Sequence, residues 1–193
     1  MAASTYTENS QVVLDQKVIE GEQYLASYVV GEFSAGPIAT TTNSAHLLQI
    51  MAGSSLNVRI RRIEITQSAM ATTVQNMLLQ VVRLTSAGSG GTAATISALD
   101  TSDAVPGATA QILPSSKGTE NTIVYYSPIY MMQTLAVSNP VRTPGLIIDF
   151  DRPRMKPLII AAGTSNGIAI KNVGGGCAGS SVVINVWFTE SSY

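Results

Sequence analysis

Short apolar runs alternate with turn-forming residues along most of the chain. The runs are rich in β-branched and aromatic side chains, and Gly, Pro, Ser, Thr and Asn separate them. No long stretch combines a 3.6-residue apolar period with the capping residues of an amphipathic helix. The pattern therefore predicts strands joined by turns. The predicted strands cover residues 24–33, 45–52, 56–68, 77–85, 95–99, 122–126, 129–137, 146–151, 158–162, 167–173 and 181–190.

About ten short strands without helices are typical of a β-sandwich or a β-barrel. Unequal strand lengths and long connections favour the sandwich over an up-and-down barrel. We predict an all-β chain that folds as a jelly-roll-like antiparallel β-sandwich over residues 24–193 and carries an extended N-terminal arm over residues 1–23.

The predicted arm is polar, with small apolar clusters at 12–14 and 18–19. A free tail of this composition is usually disordered. We predict instead that the arm packs across a subunit boundary, with Val12, Val13 and Leu14 as contact residues.

The apolar residues of the strand predicted around residues 58–65 do not follow one regular alternation. Positions 58 and 60 are apolar, and so are positions 63 and 65, but the two pairs would fall on opposite faces of a regular strand. One extra residue at Arg61 or Arg62 returns all four to one face. The sequence therefore predicts a β-bulge or a sharp bend at these arginines.

Apolar side chains alternate in the last predicted strand, 181–190. Successive side chains of a strand point to opposite faces. The better core face carries Val182, Ile184, Val186 and Phe188. Trp187 falls on the other face, where we expect a second layer or an interface.

The connections between strands differ in character. We predict that strands 167–173 and 181–190 form a hairpin through the glycine-rich connection 174–180. Residues 86–92 read as a flexible connection. The wider segment 86–120 is the least regular part of the chain, and a connection of this length needs a reason. We expect it to cover one end of the sandwich or to reach a neighbouring subunit.

Charged residues make up 12% of the chain and hydrophobic residues 45%, against about 25% charged residues in an average domain. This composition indicates that much of the surface faces other protein; the alternative is a larger core under an uncharged polar surface. The net charge of −1 gives no sign of a nucleic-acid or membrane-surface partner. We expect neither a signal peptide nor a spanning helix.

The single histidine, His46, is the first candidate for chemistry. In a strand it shares an apolar face with Leu48 and Ile50, so we expect a structural role. A catalytic triad would need it, and no Gly-x-Ser-x-Gly elbow accompanies it. A zinc site needs several His or Cys ligands, and the one cysteine, Cys177, lies in a glycine-rich turn as an incidental residue or as a cross-link between chains. We expect no enzyme activity, metal or cofactor.

Two pairs of carboxylates are candidates for calcium binding or acid–base chemistry. Asp149 and Asp151 can face the same side of a strand, and Asp100 and Asp103 lie in one turn. Basic residues follow at 152–156, so we expect a salt-bridged strand end for the first pair. Aspartates in turns usually accept backbone hydrogen bonds, so we expect turn capping for the second.

Basic residues form a small group in two predicted strands. The group consists of Arg59, Arg61, Arg62 and Arg83. Nucleic-acid binders add net positive charge or stacking aromatics to such groups, and the net charge here is near zero. We therefore place Arg61 and Arg62 at a subunit interface. The ion-pair partners expected across it are Glu64, Asp149 and Asp151.

Aromatic residues are concentrated in the segment 125–132. Tyr and Met suit both cores and interfaces, and we place Tyr125, Tyr126 and Tyr130 there together with Trp187. An aromatic edge can also stack sugars, so a glycan site is the alternative.

Several segments resemble a known group of proteins. They are Arg-Pro-Arg-Met-Lys-Pro at 152–157 with the strand that follows, the final strand 182–188, and 61–65 with 82–85 and its Gly-Ser-Gly-Gly loop. These segments resemble small jelly-roll virion proteins of tailed bacteriophages over residues 45–190. The resemblance implies trimers or other oligomers that sit on the head as decoration or cement proteins, or in fibres and tails.

The resemblance also implies partners and a location. The partners are copies of the chain itself, with a trimer favoured, and the major capsid protein or other virion proteins. The location is the virion, after assembly in the host cytoplasm. No catalytic or ligand-binding residue carries over from this group.

The first hypothesis is therefore a structural virion protein, a capsid decoration or cement protein. The alternatives are a carbohydrate- or receptor-binding β-sandwich of a fibre or tail, and a jelly-roll shell subunit. An enzyme on a β-scaffold would need His46, or Asp149 with Asp151, in a concave pocket.

Overall fold

A computed structural model describes residues 29–40, 45–69, 71–72, 75–131, 145–150 and 157–192. These residues form an antiparallel β-sandwich of two six-stranded sheets and contain no helix. The predicted all-β sandwich is confirmed, and its jelly-roll connectivity stays a prediction. The arm over residues 1–23, with Val12, Val13 and Leu14, lies outside the described residues, as does its boundary with the domain that begins at residue 24.

The strands of the described residues are numbered in chain order. They are β1 (Val29–Ala39), β2 (His46–Met51), β3 (Asn57–Ala69), β4 (Gln75–Leu84), β5 (Thr92–Ala94), β6 (Ser97–Ala98), β7 (Thr109–Ile112), β8 (Glu120–Met131), β9 (Leu146–Asp149), β10 (Leu158–Ile160), β11 (Gly167–Asn172) and β12 (Ser181–Ser191).

Sheet A has the order β10-β3-β12-β1-β6, and β9 also pairs with β3. Sheet B has the order β5-β7-β2-β11-β4-β8. Strand β1 contacts β2, β5 and β7 across the interior. On the other side of the sandwich, Arg83 of β4 donates a hydrogen bond to the carbonyl of Ile159 in β10 at 2.7 Å. Strands β8 and β9 therefore lie at the same side of the sandwich.

The predicted bulge in β3 is confirmed. Trp187 pairs with Arg62, but the next residue of β12, Phe188, pairs with Ile60, so Arg61 is the extra residue. The four apolar side chains on either side of the bulge all point into the core and are at most 2% exposed: Val58, Ile60, Ile63 and Ile65.

The bulge also marks a change of partner along the other edge of β3. Residues 62–65 pair with β9, and residues 58–60 pair with β10. At the junction the carbonyl of Arg61 accepts a hydrogen bond from the amide of Phe150 at 2.8 Å. β9 and β10 thus occupy consecutive positions beside one continuous strand.

The core face of β12 is the predicted one. Val182, Ile184, Val186 and Phe188 are buried, and Trp187 lies on the outer face of sheet A. Gly31 of β1 pairs with Phe188, and a side chain at Gly31 would overlap the phenyl ring.

The predicted hairpin of β11 and β12 is wrong. β11 lies between β2 and β4 in sheet B, whereas β12 lies between β3 and β1 in sheet A. Residues 167–170 are all buried, as expected for a central strand covered on both faces. The connection 174–180 therefore joins the two sheets instead of turning within one.

The segment 86–120 is built into both sheets: it supplies β5 and β7 to sheet B and β6 to sheet A. Its glycine-rich start, predicted as a flexible connection, is hydrogen-bonded to residues 116–119. Ser89 and Ser116 exchange backbone hydrogen bonds of 2.9 and 3.1 Å. A side chain at Gly88 would overlap the Ser116 carbonyl, and one at Gly118 would overlap the Ser86 carbonyl. The glycines allow two backbone segments to pack closely.

Candidate interaction surface

The outer face of sheet A carries a row of large side chains. Glu32, Trp187, Arg62 and Asp149 are aligned across neighbouring strands. The Trp187 indole nitrogen donates to Glu32 Oε2 at 3.1 Å. The Arg62 guanidinium carbon lies 5.3 Å from the Trp187 ring centroid, within the range of a cation–π contact. Two predicted interface residues, Arg62 and Trp187, are therefore in contact on this face.

Arg62 pairs with Glu64 at 3.2 Å within the same chain. An ion pair between subunits was expected here, and the observed pair forms because residues i and i+2 of a strand share a face. The pair is exposed, so it contributes about 0–1 kcal/mol. Beside Glu64 lies Ile147, which is 52% exposed. We call Ile147, Arg62 and Trp187 the sheet A patch.

The outer face of sheet B presents apolar side chains at its edge strand β8. Ile123 and Tyr126 are 54% and 53% exposed, and we call them the β8 patch. Tyr125 instead packs against the core. Tyr130 pairs with Asn76 through its backbone, and its side chain lies outside the described residues. Trp187 lies on the other sheet, and the alternative of a glycan site at these aromatic residues stays a prediction.

Asp100 caps a turn, as predicted. Its Oδ1 accepts hydrogen bonds from the amide and the hydroxyl of Ser102 at 2.9 and 2.7 Å, and the Asp103 amide donates to the Asp100 carbonyl at 3.0 Å. The hydrogen bond from the Ser102 amide is the main cause that lowers the pKa of Asp100. This turn is flanked by exposed apolar side chains, Leu99 at 56% and Val105 at 81%.

The other candidates for metal or thiol chemistry are placed as follows. Asp149 ends β9 opposite Arg62, whereas Asp151 and the basic segment 152–156 lie outside the described residues. Within the described residues, no group of three or more His, Cys, Asp or Glu could hold a metal ion.

Cys177 is fully buried, and burial raises the pKa of its thiol. This buried position does not suit the alternative of a cross-link between chains.

Regular alternation predicted that His46 shares a face with Leu48 and Ile50, and this prediction is wrong. Ile170 pairs with Leu48 but Lys171 pairs with His46, so β2 has an extra residue at Leu47. This second bulge turns His46 to the outer face of sheet B, where it is fully buried.

A chain of hydrogen bonds surrounds His46. The Gly88 amide donates to Gln49 Oε1 at 2.8 Å, so the Gln49 amide nitrogen faces His46 Nδ1, at 2.6 Å. Nδ1 is then the acceptor, and the imidazole proton lies on Nε2, which donates to Glu120 Oε1 at 2.8 Å. Lys171 donates to Glu120 Oε2 at 2.6 Å. We call these four side chains the His46 network.

Burial is the main cause that lowers the pKa of His46, although Glu120 acts in the opposite direction. Burial also acts to raise the pKa of Glu120, but hydrogen bonds and charge from Lys171 and His46 together outweigh it, so this pKa is lowered as well. The neutral imidazole and the ionised carboxylate are therefore the forms that the fold favours.

Acid is expected to destabilise the fold in two stages. Both pKa values are lower in the folded chain, so the unfolded chain binds more protons and stability falls with falling pH. The contribution of His46 is complete above its ordinary pKa of 6.5 and is lost below it, and that of Glu120 is lost below 4.5. Urea unfolding at about pH 7.5 and pH 5.5 measures the first stage, because only His among ordinary side chains titrates there. A His46→Gln variant should lose the pH dependence in this window; an unchanged slope would contradict the assignment.

Glu190 is a buried carboxylate that the sequence predictions missed. It is 1% exposed, and its Oε1 and Oε2 accept hydrogen bonds from the amides of Ala108 and Gly107 at 2.7 and 2.9 Å. These bonds attach the 86–120 segment to β12 just before β7 begins. The signal was present, because position 190 continues the even-numbered core face of β12.

A pocket of about 240 Å³ lies beside Gln49 on sheet B. No titratable side chain lines it. Gln111 is hydrogen-bonded through both atoms of its side-chain amide when the positions of the oxygen and the nitrogen are exchanged. The nitrogen then donates to the Gly88 carbonyl and the oxygen accepts from the Gly91 amide, at 3.2 Å each. The lining residues are Gln49, Met51, Ala87, Gly88, Gly91, Ala93, Thr109, Ala110 and Gln111.

Comparisons with known proteins give no match to any family model, curated protein or solved structure. Among the described residues, no helix is long and apolar enough to cross a membrane.

Proposed function

We propose that the protein is a structural virion protein, a capsid decoration or cement protein that works through contacts with copies of itself and with other virion proteins. The observation that carries the proposal is the exposure of large apolar side chains on both outer faces of the sandwich: Ile147 on sheet A, and Ile123 and Tyr126 on sheet B. All three lie on strands, where a flat partner can contact them.

The composition supports the same proposal. Only 12% of the residues are charged, so few surface charges would have to be desolvated when a partner binds. Aromatic residues and arginine are enriched at the centres of protein interfaces, and the sheet A patch contains one of each. Obligate assemblies bury roughly 2,000 Å² or more per interface. The broad faces of two six-stranded sheets are the surfaces suited to this.

Replacing exposed apolar residues by aspartate is expected to disrupt assembly without unfolding the chain. We expect the full chain to sediment as an oligomer, with a trimer favoured, and Ile147→Asp or Ile123→Asp to shift it toward the monomer. Thr122→Asp is the matched control, since Thr122 is an exposed polar residue of the same strand as Ile123. Native mass spectrometry gives the stoichiometry, and thermal unfolding shows that the variants remain folded.

A second measurement tests the virion role itself. Antibody labelling of purified phage particles in electron micrographs should place the protein on the particle. A chain that is monomeric at micromolar concentration, and that is absent from particles, would overturn the proposal. An oligomer that is absent from particles would retain the self-contact and reject the virion role.

A further inference from the structure

The His46 network joins parts of the chain that are far apart in sequence. His46 and Gln49 belong to β2, and Lys171 belongs to β11. Glu120 is the first residue of β8. Through Gln49 the network also holds the backbone of Gly88. The segment 85–89 is tied in turn to 116–119, which leads directly into β8. One buried imidazole thus contributes to the position of an inserted segment and of an edge strand.

His46 cannot accept a second proton in the present arrangement of its hydrogen bonds. A proton on His46 Nδ1 would set an N–H group against the amide nitrogen of Gln49, which is itself a donor. Gln49 cannot turn its amide to compensate, because the amide nitrogen would then face the backbone N–H of Gly88. A backbone amide has no alternative protonation state, so Gln49 can offer its oxygen to a protonated Nδ1 only by giving up its bond to Gly88.

We propose that the His46 network is an acid-operated latch, in which protonation of His46 breaks the hydrogen bond between Gln49 and the Gly88 amide. Glu120 keeps its bond to Lys171 in the released state and can still accept from the imidazolium. The bond that is lost is the one between Gln49 and Gly88. The latch is a property of the single chain, so it stands or falls independently of the virion role.

The charged groups around His46 come from three elements. Glu120 of β8 favours the imidazolium, whereas Lys171 of β11 and Lys117, in the segment before β8, oppose it. Burial of the ring also opposes it, and its pKa is lowered as a result. The latch is therefore closed at neutral pH and opens at a lower pH than that at which a free histidine is protonated.

The chain has one histidine, so imidazole NMR signals report the latch without ambiguity. In the full ¹⁵N-labelled chain at neutral pH, we expect the Nε2–H tautomer and a titration midpoint below 6.5. As His46 titrates, the protection factor of the Gly88 amide, which compares its exchange rate with that of an unstructured amide at the same pH, should fall about fivefold, as loss of one buried hydrogen bond implies. An Nδ1–H tautomer, or a Gly88 protection factor that stays constant through the titration, would overturn the proposal.

A Gln49→Glu variant should remove the conflict between protonation of His46 and the hydrogen bond to Gly88. A carboxylate at this position can accept from Gly88 and from a protonated Nδ1 together, so the midpoint should rise above that of the wild-type chain and Gly88 should stay protected in acid. Gln67→Glu, the same change in sheet A, is the control and should leave the midpoint near the wild-type value. If Gln49→Glu does not fold, Lys171→Met should also raise the midpoint, since it removes a cation. A midpoint that stays unchanged or falls in the variant tested rejects the latch.

Discussion

Truncating Phe188 to alanine is expected to lower the free energy of unfolding by about 4 kcal/mol, the usual range for a fully buried phenylalanine. Phe188 is 0% exposed and is among the largest fully buried side chains of the described core. Its ring fills the space that Gly31 leaves open in β1, so truncation creates a cavity that a glycine cannot fill. Urea unfolding followed by the fluorescence of Trp187, the one tryptophan of the chain, measures the effect.

The contact between Gly31 and Phe188 provides an internal control. A Cβ at Gly31 would lie 2.8 and 2.9 Å from the two Cε atoms of the ring, so Gly31→Ala should cost about 1–3 kcal/mol by overpacking. In a Phe188→Leu background the same change should cost clearly less, because the ring is gone. Additive effects would show that the two residues are not coupled. Gly175→Ala, where nothing lies within 4 Å, should be close to neutral.

Replacing Glu190 by alanine is the second large effect, with an expected loss of about 3 kcal/mol, because two buried backbone N–H groups lose their acceptor. The affected amides belong to Gly107 and Ala108. Hydrogen exchange at these two residues should rise together with the loss of stability. Protected amides at 107 and 108 in a destabilised variant would contradict this explanation.

Two further substitutions separate the roles of charge and of acceptor geometry. Glu190→Gln keeps one oxygen acceptor but turns an amide nitrogen toward the other N–H, so we expect an intermediate loss. Glu64→Ala removes a partly exposed carboxylate from the neighbouring strand and should cost about 1 kcal/mol or less. We expect the loss of stability to be largest for Glu190→Ala, smaller for Glu190→Gln and smallest for Glu64→Ala.

The sequence was most informative where one face of a strand is buried. Alternation with period two predicted the core faces of β3 and β12, and its failure at Arg61 predicted the bulge. The same reasoning could have found the bulge in β2, since Leu47 and Leu48 are adjacent and both are buried. Two consecutive core side chains are incompatible with a regular strand, and His46 was placed on the wrong face for this reason.

Strands with few large apolar side chains escaped prediction. β5 and β7 consist mainly of small or polar residues, so they carry little apolar pattern. β8 was predicted as two strands because of Pro128, but an edge strand tolerates proline, and β8 runs through it. The sheet to which a strand belongs depends on contacts between distant segments, so β11 and β12 were wrongly paired.

The candidate surfaces were predicted only in part. The low charge of the chain and the alternation of side chains indicated that Trp187 and Arg62 lie at an interface. The two side chains do contact each other. The sequence could not show that Trp187 and the tyrosines lie on different sheets, because that depends on the sheets to which β12 and β8 belong. The His46 network was out of reach for the same reason, since it joins residues separated by more than a hundred positions.

The interrupted strand formed by β9 and β10 has a consequence for protein engineering. The chain leaves β3 after Asp149 and returns at Leu158, on consecutive positions of the same partner. The register of sheet A is therefore fixed on both sides of the break, and the entropy of closing a loop there grows only slowly with its length. A foreign peptide grafted between these two points is expected to leave the alignment of the hydrogen-bond ladder on either side unchanged.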